Sequence, residues 1–200
     1  MIAFFNIHNR GLSIQIRDGG NVENVTYSNI IIETRGIYIP LITHILFNKL
    51  HIIKLKIINI CRNTAAAEAH KLKIFNILTF NRDENTKSGR IRNIRFFNVT
   101  AKGENGVLIH GNADNVIEDI TFENCRVELT KTSKWDCGLY DLRPCLDWGV
   151  EKYDNSAFFL RYVKDITIMK TKTMWGNLCS SYKHAIDAEN VENLEFQTLC

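Results

Sequence analysis

Three polar residues near the start of the sequence have side chains suited to binding a carboxylate. Arg10, Gln15 and Arg17 lie around the alternating segment Leu12-Ser13-Ile14-Gln15-Ile16. An arginine guanidinium group presents a planar fork of donors that fits a carboxylate such as that of a uronic acid. We therefore predict that these residues contact sugar hydroxyls or a uronate. The alternative is that they form the solvated face of a strand.

Acidic side chains are the groups that glycoside hydrolysis would need. An inverting enzyme uses a carboxylic acid and a carboxylate about 6.5–9.5 Å apart, one to protonate the leaving oxygen and one to activate water. The candidates are Asp18, Asp114, Asp119, Asp136, Asp141 and Asp147. A structural role is the simpler interpretation for three of them: Asp18 in a turn, Asp119 at a bend and Asp141 in a local salt bridge. No catalytic residue is assigned.

Aromatic residues and one histidine form a third group of candidates. Tyr140, Trp135 and Trp148 lie in the long polar segment 130–157 and could stack on sugar rings, although packing of this loop onto the core explains them equally well. His110 has the chemistry of an acid or base, but a hydrogen-bonded structural histidine is the favoured interpretation. No phosphate-binding loop, Ser-His-Asp order or metal-spaced histidine cluster occurs, so we expect no metal or cofactor.

A repeated phrase predicts the elements that hold these residues. It begins at Val22, Ile91 and Ile117, and its first half returns at Val163 and Val191. Apolar residues at a spacing of two lie on one face of a strand. The intervals are 69, 26, 46 and 28 residues. A period of about 23 to 28 residues, within the solenoid range, explains them if the first interval holds three turns and the third holds two.

Strands at this period, without helical patterns between them, predict an all-β fold and a single-stranded parallel β-helix. We expect one domain over residues 1–200, incomplete at its N-terminus, with residues 36–88 as a divergent or inserted segment. The asparagines that follow the strand at positions 29, 98 and 124 suit a left-handed bend. In stacked coils these residues would form a ladder, and the alternative is that each is a solvated loop residue.

Composition and charge narrow the possible partners. The hydrophobic fraction is 45% and the charged fraction 24%, as in ordinary globular proteins. A net charge of +3, spread along the chain, does not indicate a nucleic-acid partner, and no apolar run has the length of a membrane span. The six cysteines include no CxxC pair, which favours free thiols. If a disulfide forms, Cys137 and Cys145 are the expected pair.

Four segments in order resemble the polygalacturonase-type glycoside hydrolases of family 28. They are residues 10–25, 89–94, 103–111 and 140–145, and the likeness covers about residues 10–35 and 89–200. The resemblance implies a right-handed parallel β-helix, a pectin-like polysaccharide or oligosaccharide substrate, and a secreted or periplasmic location for the complete protein. It also implies that Tyr140, Asp141 and Arg143, in the Tyr-Asp-Leu-Arg-Pro-Cys segment, bind substrate.

The chain departs from the family pattern where catalysis would occur. The family's catalytic aspartates belong to an Asn-Thr-Asp motif and an Asp-Asp pair near a Gly-His-Gly, none of which is present, and we expect them upstream of residue 1. The family's Arg-Ile-Lys motif aligns with Ser13-Ile14-Gln15, with Arg17 as a nearby substitute. We therefore expect the C-terminal part of a glycoside hydrolase, inactive alone. The alternative is a non-catalytic β-helix module for carbohydrate binding or adhesion.

Overall fold

The computed structural model describes residues 2–7, 10–35, 73–133, 136–143, 145–147 and 149–197. These residues form thirteen β-strands and no helix. Eleven strands belong to one sheet whose pairings are parallel, and the other two form an antiparallel hairpin. The predicted all-β class is therefore confirmed. Most of the segment predicted to be divergent or inserted, residues 36–72, lies outside the described residues, as do Trp135 and Trp148.

The strand boundaries are as follows. The strands are β1 Ile2–Ile7, β2 Leu12–Ile16, β3 Val22–Thr34, β4 Lys73–Thr79, β5 Ile91–Gly103, β6 Asn105–His110, β7 Ile117–Glu123, β8 Arg126–Leu129, β9 Leu139–Asp141, β10 Val150–Lys152, β11 Asn155–Met169, β12 Lys172–Trp175 and β13 Tyr182–Gln197. The hairpin consists of β9 and β10.

The parallel pairings follow three ladders. The first ladder joins β2, β4, β6 and the N-terminal halves of β11 and β13. The second joins the N-terminal halves of β3 and β5 with β7 and the C-terminal halves of β11 and β13. The third joins β1, the C-terminal halves of β3 and β5, β8 and β12. From β2 onward the chain visits the three ladders in the same order each time, with the β9–β10 hairpin as the interruption.

The bends that carry the chain from one ladder to the next use residues in the left-handed backbone region. Asn29, Asn98 and Asn124 have φ of 55°, 54° and 51° and separate the second ladder from the third. The Asn98 amide nitrogen donates to the side-chain oxygen of Asn29 at 2.6 Å, and the Asn124 amide nitrogen donates to that of Asn98 at 3.3 Å. Asparagine tolerates this conformation better than most residues. The predicted bend and the predicted asparagine ladder are both confirmed.

The register of the second ladder corrects the predicted number of turns. Val22 pairs directly with Ile91, and Ile117 pairs directly with Val163, which in turn pairs with Val191. The 69-residue interval is therefore one passage through the ladders rather than three, and the 46-residue interval is one rather than two. The prediction was wrong for these intervals because their lengths also include residues that lie between strands of the ladders, such as the β9–β10 hairpin in the 46-residue interval.

An aromatic stack fills the interior along the second ladder. The rings of Tyr27 and Phe96 are parallel with centroids 5.2 Å apart, and those of Phe96 and Phe122 are parallel at 4.6 Å. Phe75, from the first ladder, meets Phe96 edge-on at 4.9 Å. Phe158 meets Phe122 in the same way at 5.1 Å. Because in-register strands place equivalent residues one above another, the repeated aromatic position of the phrase produces this stack.

The segment 137–153 covers the outer face of the first ladder. Tyr140 and Leu142 pack with Leu78, Leu108 and Phe159 in a second buried cluster, separate from the main interior. As a result β4 and β6 are buried on both faces along their whole length. This outer layer brings β9, and with it Asp141, beside Arg10 and Lys73, where β2 and β4 begin.

Candidate functional site

Cationic side chains from three elements converge on Asp141, and we call this group the basic cluster. Its cationic members are Arg10, Arg17, Lys73 and Arg143. Arg10 precedes β2, Arg17 follows it, and Lys73 opens the adjacent strand β4. Arg143 follows β9, which ends at Asp141. The pairing of β2 with β4, together with the outer layer above them, therefore explains why residues far apart in the sequence meet here.

The carboxylate of Asp141 is the centre of the basic cluster. The Arg143 side chain donates from Nε to Oδ1 at 2.9 Å, and the Arg143 backbone N–H donates to the same oxygen at 3.2 Å. Arg10 Nη2 lies 4.0 Å from Oδ2. The buried ammonium of Lys73 donates to the Asp141 backbone oxygen at 3.2 Å. Both oxygens of the carboxylate thus face cationic groups, and the contacts hold β9 against β4.

Arg17 and Gln15 extend the basic cluster along the outer face of β2. Arg17 donates from Nη1 to the Leu142 backbone oxygen at 2.9 Å and from Nη2 to Gln15 Oε1 at 3.2 Å. Gln15 in turn donates to Ser13 Oγ at 3.0 Å. The Arg17 guanidinium carbon lies 5.9 Å from the centre of the Phe80 ring. These contacts fix the orientation of both polar side chains at the edge of the outer layer.

Burial and repulsion between like charges shift the pKa values of the cationic side chains in the basic cluster. Burial lowers the pKa of Arg10 and of Arg17, and the nearby charge of Asp141 partly offsets this in both. The pKa of Lys73 is held well below its ordinary value, first by burial and then by the charge of Arg10. By contrast, the hydrogen bond to Asp141 raises the pKa of Arg143. Holding these cations together is therefore costly, and an anion placed among them would reduce that cost.

The structure brings five of the six predicted binding residues together in one cluster, of which Arg17 and Asp141 are buried, and places the sixth in the buried outer layer. Arg10, Gln15, Arg17, Asp141 and Arg143 form the set described above. Tyr140 is fully buried, and its ring stacks on Phe159 with centroids 4.7 Å apart. It also lies 5.3 Å from the Lys73 ammonium. This is the packing role that the sequence left open as the alternative to sugar stacking.

Lys73 is the member of the basic cluster that sequence reasoning missed. It opens the strand Lys73–Thr79, which is otherwise apolar apart from Asn76 and Thr79, and the strand is buried along its whole length. A lysine at the start of such a strand is a signal, because a lysine is rarely buried unless its ammonium has a partner. Here the partners are the Asp141 backbone oxygen and the Tyr140 ring.

The structural interpretations of several acidic residues and of His110 are confirmed. Asp18 lies in a bend and forms an ion pair with Arg82. Asp119 has a φ of 54°, as a bend residue should, and lies 3.9 Å from Arg95. His110 is buried, its Nδ1 is 2.6 Å from the Gly111 backbone oxygen, and burial lowers its pKa to about 4.

The predicted cysteine pair is not the one that the structure brings together. The described cysteines are Cys125, Cys137, Cys145 and Cys179, and all are free thiols, as predicted. The neighbour of the Cys137 thiol is the Cys179 thiol rather than that of Cys145. The reason is that the loop containing Cys137 folds towards the connection between β12 and β13.

Comparisons and site searches add little to this geometry. Among the described side chains, no group of three or more histidines, cysteines or acids is arranged to hold a metal ion. In the part of the chain that the structure covers, no helix has the length and apolar character needed to cross a membrane. No protein-family model matches the chain, and neither a curated protein nor a solved structure is similar to it.

Proposed function

We propose that the chain is a parallel β-helix of polygalacturonase type that binds a uronate-containing polysaccharide through the basic cluster. Three observations support the β-helix. The chain visits three parallel ladders in a fixed order, the repeated phrase pairs in register, and asparagines stack at the bends. Stacking of this kind is expected when each coil buries its apolar face against the next. Right-handedness is part of the proposal through the family resemblance.

The convergence of Arg10, Arg17 and Arg143 around a single carboxylate carries the functional proposal. The Arg143 side chain is 52% exposed and that of Arg10 is 20% exposed, whereas Arg17 and Lys73 lie behind them. A uronate carboxylate arriving from solvent would meet the two more exposed guanidinium groups first. Hydrogen bonds between ionised groups are about twice as strong as neutral ones, and partial burial strengthens them further.

We propose binding without hydrolysis for this chain, and hydrolysis of pectin-like polymers for a complete protein that also carries the family's catalytic aspartates. The observation that favours binding is the use of the local acids in structural contacts. Asp141 accepts hydrogen bonds from Arg143, Asp18 pairs with Arg82, and Asp119 occupies a left-handed bend. A carboxylate engaged in this way is poorly placed to activate water or to protonate a leaving group. The same contacts support the alternative proposal of a carbohydrate-binding or adhesion module.

Affinity electrophoresis tests the proposal. The chain should migrate more slowly in a gel containing polygalacturonate than in one containing a neutral polymer. Arg143→Gln should weaken this retardation a few-fold, because one half-exposed charge-assisted contact is worth about 1 kcal/mol. Arg126→Gln, which removes the same charge from an exposed position on β8, is the matched control and should behave like the wild type.

Two results would overturn the proposed binding site. One is equal migration of the wild type in the two gels. The other is an equal effect of Arg143→Gln and Arg126→Gln, which would indicate attraction by overall charge only. A reducing-sugar assay on polygalacturonate separates binding from catalysis. We expect no release of reducing ends, and turnover by the pure chain would contradict the proposal that it binds without hydrolysis.

A further inference from the structure

Two loops that lie far apart in the sequence are pinned together next to Cys137 and Cys179. Lys131 donates its backbone N–H to the Asn177 backbone oxygen at 2.8 Å, and Asn177 donates to Thr130 Oγ1 at 3.0 Å. The Tyr182 hydroxyl donates to the Glu104 backbone oxygen at 2.8 Å. These bonds connect the segment that follows β8 with the connection between β12 and β13. The loops on which the two cysteines lie are therefore held side by side.

The anchoring of the first loop is especially dense. The buried Glu104 carboxylate accepts the Thr132 backbone N–H at 2.8 Å and the Ser133 hydroxyl at 2.9 Å, and it lies 3.4 Å from the Lys131 ammonium. Farther along, Gly138 has a φ of 80°, and its backbone oxygen accepts the Tyr153 N–H at 2.9 Å. Cys137 therefore lies between two anchored positions, residues 131–133 at Glu104 and Gly138 at Tyr153.

Cys137 and Cys179 are neighbours, although they are 42 positions apart in the sequence. The two thiols are close enough to share a hydrogen bond. Cys179 Sγ lies 3.1 Å from Ser181 Oγ, and its backbone oxygen accepts the Tyr182 N–H at 3.1 Å. Cys137 is buried, whereas Cys179 is partly open to solvent, and neither forms a disulfide. Two free thiols in contact on fixed loops need little movement to become bonded.

We propose that Cys137 and Cys179 form an oxidation site that closes to a disulfide by exchange with a small-molecule disulfide such as oxidised glutathione. The inference is independent of the proposed polysaccharide binding. Its structural consequence is a covalent link between the loop that leads into β9 and the connection that leads into β13. That link would restrict the segment carrying Asp141 without adding any residue to the basic cluster.

The reaction proceeds in two exchange steps. The Cys179 thiolate attacks one sulfur of oxidised glutathione, forming a mixed disulfide and releasing one glutathione thiolate. Cys137 then loses its proton and attacks the Cys179 sulfur, which forms the protein disulfide and releases the second glutathione. Two protein thiols are oxidised, one glutathione disulfide is reduced to two thiols, and the protein's two protons pass to them. Cys179 makes the first attack because it is partly open to solvent, whereas Cys137 is buried and its burial raises the pKa of its thiol to about 12.

Peptide mapping of the full chain tests the proposal. The protein is equilibrated with mixtures of reduced and oxidised glutathione, alkylated in acid-quenched samples and digested with trypsin. Because Arg143 precedes a proline, trypsin leaves Cys137 and Cys145 on one peptide, so variants must distinguish them. We expect a cross-link between this peptide and the one containing Cys179. The cross-link should persist in Cys145→Ser and disappear in Cys137→Ser.

A second variant keeps the test decisive if Cys137→Ser does not fold. That variant is Cys145→Ser, because a cross-link to the Cys179 peptide that persists in it must use Cys137. The oxidised wild type should also melt about 5 °C or more above the reduced protein, because the bond closes a long loop in the unfolded chain. Three outcomes would overturn the inference: a Cys137–Cys145 link, a cross-link to the Cys179 peptide that survives in Cys137→Ser, or a stable glutathione adduct on Cys179 without closure.

Discussion

Mild acid should destabilise the fold through His110. This residue ends β6 and is buried against aromatic rings, with the Phe80 ring centroid 4.9 Å from its own. Its Nδ1 lies 2.6 Å from the Gly111 backbone oxygen, so the neutral ring already has a partner for one N–H. Burial, with smaller contributions from the charges of Arg161 and Lys73, lowers its pKa from 6.5 to about 4.

The size of the effect follows from proton linkage. In the unfolded chain the imidazole takes up its proton near its ordinary pKa, whereas in the folded protein it does so near pH 4. The unfolded state therefore binds more protons between these values, and the free energy of unfolding falls as the pH falls through this window. The loss amounts to about 2 kcal/mol at pH 5 and about 3 kcal/mol below pH 4.

Urea unfolding at a series of pH values from 7 to 4 measures this loss. His110→Gln removes the titrating group, so its free energy of unfolding should depend less steeply on pH than that of the wild type. His184→Gln, which changes an exposed histidine on β13, is the control and should leave the slope unchanged. The carboxylates titrate in every variant and cancel in the difference. Parallel curves for the wild type and His110→Gln would refute the assignment of a buried, neutral His110.

Three further substitutions test the interior, the bends and the basic cluster. Phe96→Ala should lower the free energy of unfolding, measured in urea, by about 3–5 kcal/mol, because it removes a buried ring from the aromatic stack. Phe97 is adjacent and exposed, so Phe97→Ala should change this free energy by less than about 1 kcal/mol. Similar losses for the two variants would contradict the aromatic stack. Asn98→Ala should lower the free energy of unfolding by about 1–2 kcal/mol, and Asn98→Gly should lower it less, because glycine accepts the positive φ of this position. A larger loss for the glycine variant would contradict this explanation. The wild type should gain stability over Lys73→Met as the pH rises towards 10, because the lowered pKa of Lys73 means that the unfolded chain binds more protons in this range. A pH-independent difference would contradict the lowered pKa of Lys73.

The repeated phrase predicted the strands and bends well because its alternating apolar positions mark the buried face of each strand and its asparagine marks the bend that follows. Its aromatic position is buried at Phe96 and Phe122, and its asparagine position adopts the left-handed conformation at Asn98 and Asn124. The phrase could not predict how many turns lie between two copies. Interval length includes the connections as well as the strands of the ladders, and the direct pairing of Val22 with Ile91 shows that 69 residues can separate neighbours in one ladder.

The candidate site could be predicted only in part. The side-chain types of Arg10 and Arg17 indicated anion binding, the family resemblance implied a binding role for Arg143, and all three lie in the basic cluster. Lys73 was missed because a lysine in an apolar strand becomes informative only when its neighbours in space are known. The burial of Tyr140 could not be predicted from the sequence either, because it depends on the segment 137–153 folding back over the first ladder.

A titration with a matched pair of ligands tests the central claim most directly. The ligands are an oligogalacturonate and its fully methyl-esterified counterpart of the same length, which differ only in the charge of their carboxyl groups. Calorimetry on the wild-type chain should show at least about tenfold tighter binding of the charged oligomer, because the guanidinium groups of Arg10 and Arg143 contribute together. The preference should shrink when Arg10 and Arg143 are both changed to glutamine. Equal affinity for the two ligands, or no binding of either, would contradict a uronate site at the basic cluster.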